Sequence, residues 1–119
     1  MMRVLVVDDR ADFRQAFAYV LGSQPDMEVV AQAGSLAEAR PMLEGVDVAI
    51  LDRGLPDGDG LRLMRPLRDV NPHARIFVMS ATVEIRHPED ALEAGADGVI
   101  DKVGHFERAF ALIRGEGGG

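Results

Sequence analysis

The stretch Val4-Leu5-Val6-Val7-Asp8-Asp9 decides the fold, because it joins a fully apolar strand to two carboxylates. Four aliphatic residues in a row are typical of a strand that is buried on both faces, as in parallel sheets. Four more short runs rich in apolar residues follow: Glu28–Ala31, Val46–Leu51, Arg75–Met79 and Gly98–Ile100. Segments with helical spacing separate them. The sequence therefore predicts an α/β domain with a five-stranded parallel sheet and helices on both faces.

The segments between the strands carry apolar residues at helical spacing. Phe13, Phe17 and Leu21 fall on one face of the first predicted helix. Ser35 and Glu38 have the spacing of a capping box and predict the start of the second helix. Apolar stripes also mark the third and fifth helices: Leu61, Met64 and Leu67, then Phe106, Ala109, Phe110 and Ile113.

Two prolines interrupt the helical stripes. Pro41 and Pro66 each remove a backbone hydrogen bond and clash with the preceding turn, so we expect a kink or an early helix end at each. Pro88 suits the first turn of the fourth helix, and Gly95 suits its C-terminal cap.

Composition and charge exclude several classes of protein. The 119 residues fit one domain, and 20 acidic against 13 basic side chains give a formal charge of −7. An acidic domain repels phosphate backbones, so we expect no direct binding of nucleic acid. Cysteine is absent, which excludes disulfides, thiol catalysis and cysteine-ligated zinc. The apolar runs are too short for a membrane span and the N-terminus too short for a signal peptide, so we expect a cytoplasmic protein.

Polar side chains close four of the five predicted strands. Asp8 and Asp9 end the first strand, Asp52 the third and Ser80 the fourth, and the fifth runs into Lys102. In open α/β sheets, ligands bind outside the carboxyl ends of the strands, where the strand order reverses. We therefore expect these five residues, which are distant in sequence, to converge in one small site.

The expected chemistry of this site follows from its charges. Three carboxylates held together repel one another, and a hard divalent cation with oxygen ligands, Mg2+, resolves that repulsion. Lys102 supplies a second positive charge that a phosphoryl group can meet, and Ser80 supplies a hydroxyl donor. An aspartate beside Mg2+ can attack phosphorus and form an aspartyl phosphate.

Each of these residues also has an ordinary structural explanation. Asp8 and Asp9 could cap the first helix, Asp52 and Ser80 could be strand-end turn residues, and Lys102 could be a solvated surface lysine. Their joint occurrence at the ends of four strands favours the functional interpretation. The histidines lack ligand-like spacing and are interpreted as solvent-exposed. These are His73, His87 and His105.

Four segments resemble the receiver domains of two-component signalling. They are Val4–Asp9, Leu51–Gly60, Val78–Ala81 and Gly95–Lys102. The stretch from Glu28 to Gly34 and the turn Leu55-Pro56-Asp57-Gly58 are similar to the LuxR/NarL-type group. The resemblance implies a receiver domain over residues 1–114, with 115–119 as a flexible tail or the start of a linker to an output domain.

The resemblance assigns roles by matching position. Asp52 is the implied phospho-acceptor, Lys102 the phosphoryl-binding lysine and Ser80 the switch hydroxyl. Asp9, Asp52 and the Gly54 carbonyl are the implied direct Mg2+ ligands, and Asp8 is the water-mediated one. The implied fold is flavodoxin-like, (βα)5, with strand order 2-1-3-4-5.

The same resemblance implies the partners. A sensor histidine kinase would donate the phosphoryl group, and a DNA-binding domain outside this chain would regulate transcription. A homodimer formed on activation is a further expectation. The domain is not expected to be an enzyme beyond its own phosphorylation and dephosphorylation.

Two departures from the family pattern concern signal transmission. Val99 stands where the family usually has an aromatic switch residue, and Val103 follows the lysine where proline is common. A stand-alone or degenerate receiver that acts as a protein-interaction adaptor therefore remains the alternative, although no site residue is lost. A nucleotide-binding flavodoxin-like enzyme is disfavoured, because Asp8-Asp9-Arg10-Ala11 is acidic where a Gly-rich loop would be needed.

Overall fold

The computed structural model describes residues 1–80, 88–102 and 106–115 and contains a five-stranded parallel sheet. The strands are β1 (Met2–Val7), β2 (Met27–Ala33), β3 (Val48–Asp52), β4 (Arg75–Ser80) and β5 (Gly98–Asp101). Their order across the sheet is β2-β1-β3-β4-β5, and every neighbouring pair is parallel. The expected fold class and strand order are confirmed.

A helix follows each of the five strands. The helices are α1 (Ala11–Gly22), α2 (Leu36–Ala39), α3 (Met64–Val70), α4 (Pro88–Glu93) and α5 (Phe106–Arg114). A 3-10 turn over Arg40–Met42 follows α2, and another over Gly60–Leu63 precedes α3. Gly95 adopts φ +112° just after α4, as its expected capping role requires.

Some strand boundaries differ from the sequence expectation. β2 extends past both ends of the run Glu28–Ala31. β3 begins at Val48 instead of Val46, because the N–H of Val46 bonds to the Leu43 carbonyl in a turn. The apolar character of Val46 predicted that it belongs to the strand. Val46 is indeed fully buried, but it precedes β3.

The two prolines behave differently. The α-helical part of α2 stops at Ala39 and continues only as a 3-10 turn around Pro41, as expected. The expectation for Pro66 is wrong. Since α3 begins at Met64, Pro66 lies in its first turn, where a backbone N–H has no intrahelical acceptor to lose.

Alternation along the strands divides the core into two layers. Leu5 and Val7 pack on the face covered by α2, α3 and α4. Val4 and Val6 pack on the opposite face, against residues of α1 and α5 such as Phe17. In the described part of the chain, helices cover both faces of the sheet, and in such sheets ligands bind at the carboxyl ends of the strands.

The start of α2 anchors the loop that follows β3. The Ser35 hydroxyl accepts a hydrogen bond from Glu38 N at 3.1 Å, as the capping box predicts. The Asp57 carboxylate accepts bonds from Leu36 N at 2.9 Å and Ala37 N at 3.0 Å. These backbone donors, Leu36 first, lower the pKa of Asp57 below its ordinary value. The loop between β3 and α3 is thereby tied to the neighbouring helix.

Gly60 is where this loop passes closest to β3. A Cβ at Gly60 would lie 2.1 Å from the Asp52 carbonyl oxygen and 3.3 Å from the Leu51 Cβ. Real Cβ atoms do not approach backbone oxygen so closely, so only glycine fits without moving the backbone of Asp52.

Gly60→Ala should therefore lower the free energy of unfolding by about 1 to 3 kcal/mol, the usual cost of overpacking a tight site. Urea titration at neutral pH measures the change. Gly22→Ala is the matched control, since its added Cβ meets no atom within 4 Å at the end of α1. Equal stability of the two variants would contradict the close approach at Gly60.

Candidate functional site

The carboxyl edge of the sheet carries a buried ionic triad. Lys102 Nζ lies 2.8 Å from Asp8 Oδ2 and 3.1 Å from Asp52 Oδ2. Asp8 is 0% exposed and Asp52 2% exposed, so both carboxylates lie under the surface. One ammonium therefore stands between two negative charges in a low-dielectric environment, where charge interactions are strong.

Strand pairing brings these residues together. Asp8 directly follows β1, and its N–H bonds to the Ala33 carbonyl at the end of β2 at 3.0 Å. Asp52 ends β3, where it pairs with Met79 of β4. Lys102 N donates to the Ser80 carbonyl at 3.0 Å, which joins the ends of β4 and β5. The convergence expected from the strand-end pattern is thus observed for the three members of the triad.

Asp9 adds a third carboxylate on the open side. Ligand oxygens of Asp8, Asp9 and Asp52 all lie within 4.8 Å of one another, which makes this group a candidate cation site. Asp9 is exposed, in contrast to its two buried neighbours. Asp8 Oδ2 is buried and forms an ion pair with Lys102. Among the described residues, no group donates a hydrogen bond of good geometry to this oxygen. An all-oxygen donor set with one underused buried oxygen fits a hard divalent cation.

The pKa values of Asp8 and Lys102 are both raised. Burial raises the pKa of Asp8 above its ordinary value, and the charge of Asp52 adds to this, while Lys102 and the Arg10 N–H oppose it. Burial lowers the pKa of Lys102, but its contacts with Asp8 and Asp52 outweigh that effect and the net pKa is raised. Lys102 is therefore a permanent cation at neutral pH.

Backbone groups orient the carboxylates. The remaining Asp8 oxygen, Oδ1, accepts from Arg10 N at 2.8 Å. Asp52 Oδ1 accepts a hydrogen bond from Gly54 N at 3.1 Å, so the observed contact of Gly54 with Asp52 is made by its N–H group. The coordination expected of its carbonyl stays a prediction. Each carboxylate thus has one oxygen fixed by the backbone and one turned toward Lys102.

Two supporting residues were missed by the sequence reasoning. The Arg14 guanidinium donates to the Asp8 carbonyl at 2.8 Å and holds the end of β1 from α1. Lys102 Nζ lies 5.3 Å from the centre of the Phe13 ring, so this ring lies beneath the ammonium instead of serving only the core. Both residues follow Asp8 closely in the sequence. Their role depends on how α1 lies over the carboxyl edge of the sheet.

The remaining sequence expectations are partly covered by the structure. Ser80 is buried, 3% exposed, at the end of β4. Val99 is half-buried in β5, and His73 is exposed as expected. His87, Val103 and His105 lie outside the described residues. Ala91 of α4 is buried in the core.

The sequence matches the family described as response regulator receiver domain over residues 4–114. The chain belongs to this family. Within the described part of this receiver domain, no helix has both the length and the apolar character needed to cross a membrane.

Curated relatives include both transcription regulators and enzymes. The receiver is 38% identical over 104 residues to the DNA-binding transcriptional activator DevR/DosR of Mycobacterium tuberculosis, which is 86% of this chain and 48% of that protein. It is 38% identical over 112 residues to a protein-glutamate methylesterase of Chromobacterium violaceum, which is 92% of this chain and 31% of that protein. The receiver thus spans about half the length of these relatives or less.

Solved receivers superpose closely. The NarL receiver domain of M. tuberculosis matches with TM-score 0.82 and 29% identity, covering 99% of this chain and 98% of that one. A Burkholderia pseudomallei response regulator with a phosphorylated aspartic acid, a calcium ion and citrate matches with TM-score 0.80 and 28% identity, covering 95% and 66% of the two chains. The expected resemblance to the LuxR/NarL-type group is confirmed.

The triad predicts a measurable electrostatic dependence. Lys102→Met keeps most of the side-chain volume but leaves Asp8 and Asp52 buried without their counter-charge. The free energy of unfolding in metal-free buffer at pH 7 should fall by about 3 kcal/mol, as when one partner of a buried ion pair is removed.

A second substitution separates charge from packing. Adding Asp8→Asn to Lys102→Met removes one uncompensated charge and should restore part of the lost stability. A double variant less stable than Lys102→Met alone would show that packing around the lysine stem, and not the ion pair, accounts for the loss.

Proposed function

We propose that this receiver accepts one phosphoryl group on Asp52 from a sensor histidine kinase, in a reaction that requires Mg2+. The observation that carries the proposal is the buried triad of Asp8, Asp52 and Lys102 with the exposed carboxylate of Asp9 beside it. A purely structural ion pair does not need a third carboxylate within 4.8 Å. A site that handles a dianionic phosphoryl group needs both a metal ligand set and a fixed cation.

Asp52 is the proposed nucleophile. One of its carboxylate oxygens attacks phosphorus, the phosphoryl bond to the donor nitrogen breaks, and an acyl phosphate forms on Asp52. Gly54 N holds Oδ1, and Lys102 lies 3.1 Å from Oδ2. Lys102 is therefore placed to follow the charge from the carboxylate to the phosphoryl oxygens without a large movement.

The carboxylate cluster is the proposed Mg2+ site. Asp9, Asp52 and the Gly54 carbonyl would hold the ion directly, and Asp8 would hold it through water. The exposure of Asp9 agrees with a direct ligand on the open side. Asp8 and Asp52 are both buried and both contact Lys102, so the division between these two rests on the resemblance to receivers. The bound ion would neutralise charge shared between the carboxylates and the phosphoryl oxygens. A homologous receiver that holds a phosphorylated aspartic acid together with a calcium ion supports the same pairing here.

The proposed output is regulation of transcription by a DNA-binding domain outside this chain. The similarity to DevR/DosR and to NarL supports it. The methylesterase relative shows that comparable receivers are joined to other outputs. A protein-interaction adaptor is the second candidate, and the presence or absence of a DNA-binding domain in the full-length protein would distinguish the two. Ser80 is the proposed hydroxyl that senses the phosphoryl group, since Val99 offers no aromatic ring.

Phosphorylation is tested by intact-protein mass spectrometry. With Mg2+ and a small acyl phosphate, the chain should gain the mass of one phosphoryl group, and Asp52→Asn should gain none. The exposed Asp69→Asn on α3 is the matched control and should label like the unmodified chain. Labelling of Asp52→Asn at the unmodified level would refute the assignment of the acceptor.

Metal binding is tested by thermal melting with and without Mg2+. Asp9→Ala should lose more of the Mg2+-induced rise in melting temperature than Asp8→Ala, because Asp9 is the proposed direct ligand. In metal-free buffer, Asp9→Ala should be at least as stable as the unmodified chain, since one repelling charge is removed.

Asp12→Ala controls for a general change in charge, because Asp12 is an exposed carboxylate of α1 outside the cluster. It should keep the full Mg2+ response. If Mg2+ stabilises the Asp9, Asp8 and Asp12 variants equally, the cation binds elsewhere.

A further inference from the structure

An ion pair closes the loop that follows the acceptor strand. The Arg53 guanidinium donates to Asp59 Oδ2 from Nε at 3.1 Å and from a terminal nitrogen at 2.9 Å. Arg53 directly follows Asp52, and Asp59 directly precedes the 3-10 turn over Gly60–Leu63. The two side chains are 33% and 35% exposed, so the pair is partly shielded from water. This ion pair, here called the Arg53–Asp59 clasp, joins the two ends of the loop 53–59.

The Asp59 end of the clasp is fixed by the backbone around it. Asp59 Oδ1 accepts a hydrogen bond from Leu61 N at 3.0 Å and so caps the 3-10 turn, while Oδ2 faces Arg53. The next residue, Gly60, lies so close to the end of β3 that a Cβ would be 2.1 Å from the Asp52 carbonyl oxygen. The clasp therefore ties the Arg53 side chain to a segment that is itself packed against the acceptor residue.

Gly54 lies between the clasp and the core. It is exposed, and a Cβ added to it would come no closer to another group than 3.9 Å from Asp52 Oδ1. Because glycine has wide backbone freedom, its peptide groups are positioned by the residues on either side. Leu55 is buried in the core on one side, and Arg53 is held by the clasp on the other. These two anchors set the direction of the Gly54 N–H, which donates to Asp52 Oδ1.

We propose that Arg53 and Asp59 are positioning residues of the phosphoryl site: their clasp holds Gly54 against Asp52 and thereby strengthens the binding of Mg2+. The part that concerns Mg2+ rests on the proposed function, in which the Gly54 carbonyl is a ligand. The clasp itself supplies no ligand, because the group of carboxylates within 4.8 Å of one another consists of Asp8, Asp9 and Asp52. Its effect on the ion is therefore transmitted through the backbone of Gly54.

Charge and positioning predict different results when the clasp is broken. By charge alone, Arg53→Gln removes a cation near the site and should strengthen Mg2+ binding, whereas Asp59→Asn removes an anion and should weaken it. Loss of positioning weakens binding in both variants. Asparagine keeps a side-chain oxygen for Leu61 N, so Asp59→Asn breaks the ion pair and leaves the cap of the 3-10 turn in place.

The first measurement is a titration with MgCl2 at constant ionic strength, followed by amide-resolved NMR at a temperature where every variant is folded. Arg53→Gln and Asp59→Asn should each bind Mg2+ about threefold more weakly, a change of the size that one partly exposed ion pair supplies. The double variant should bind no more weakly than the single ones, since the same interaction is lost only once. Arg62→Gln and Asp69→Asn are the matched controls. They make the same charge changes at exposed positions nearby and should keep the affinity of the unmodified chain.

The second measurement is hydrogen exchange of the Gly54 amide in metal-free buffer, which tests positioning without the ion. In both clasp variants this amide should exchange about threefold faster through local opening, while the Ile50 amide within β3 keeps its rate. Mg2+ binding by Arg53→Gln that is as tight as in the unmodified chain, or an unchanged Gly54 exchange rate in both variants, would overturn the clasp. An unmodified chain without a saturable Mg2+ response would instead overturn the proposed metal site and the role of the clasp in it, and the exchange rates alone would then decide whether the clasp positions Gly54.

Discussion

The position of Lys102 between two buried carboxylates is the constraint on which the rest of the structure depends. Burying Asp8 and Asp52 together is unfavourable unless a cation lies between them, and the ammonium at 2.8 and 3.1 Å provides it. Lys102 is also the single lysine of the chain, whose other basic residues are all arginines. A compact ammonium fits between two carboxylate oxygens, whereas a planar guanidinium requires a wider, bidentate partner.

This triad requires three strands to end at the same height. Asp52 is the last residue of β3, and Asp8 and Lys102 directly follow β1 and β5. Parallel strands in register bring all three to one edge. The loop after β3 returns to the end of the strand at Gly60, where a Cβ would lie 2.1 Å from the Asp52 carbonyl oxygen. Asp57 holds the far part of that loop on α2. The fold therefore fixes the position of the Asp52 carboxylate through its backbone.

The charges of the domain are distributed by function. Acidic residues dominate overall, and the buried carboxylates at the carboxyl edge repel one another until a cation joins them. The net formal charge of α3 is positive, and Arg68 links that helix to the turn before β5. These Arg68 contacts lie at the amino-terminal end of β4 and β5, opposite the carboxyl edge that carries the proposed phosphoryl site.

Periodicity and strand-end chemistry, both local properties, were sufficient to predict five strands, their parallel arrangement and the convergence of Asp8, Asp52 and Lys102. The resemblance to receivers supplied the strand order. The local sequence pattern predicted the wrong structure at two positions. Val46 is buried in a turn and not in β3, and Pro66 lies in the first turn of α3 because the chain changes from a 3-10 turn to an α-helix at Met64. Only the tertiary structure revealed that Phe13 lies beneath Lys102 and that Asp57 caps a distant helix. These contacts join residues far apart in sequence, and no local pattern encodes such distances.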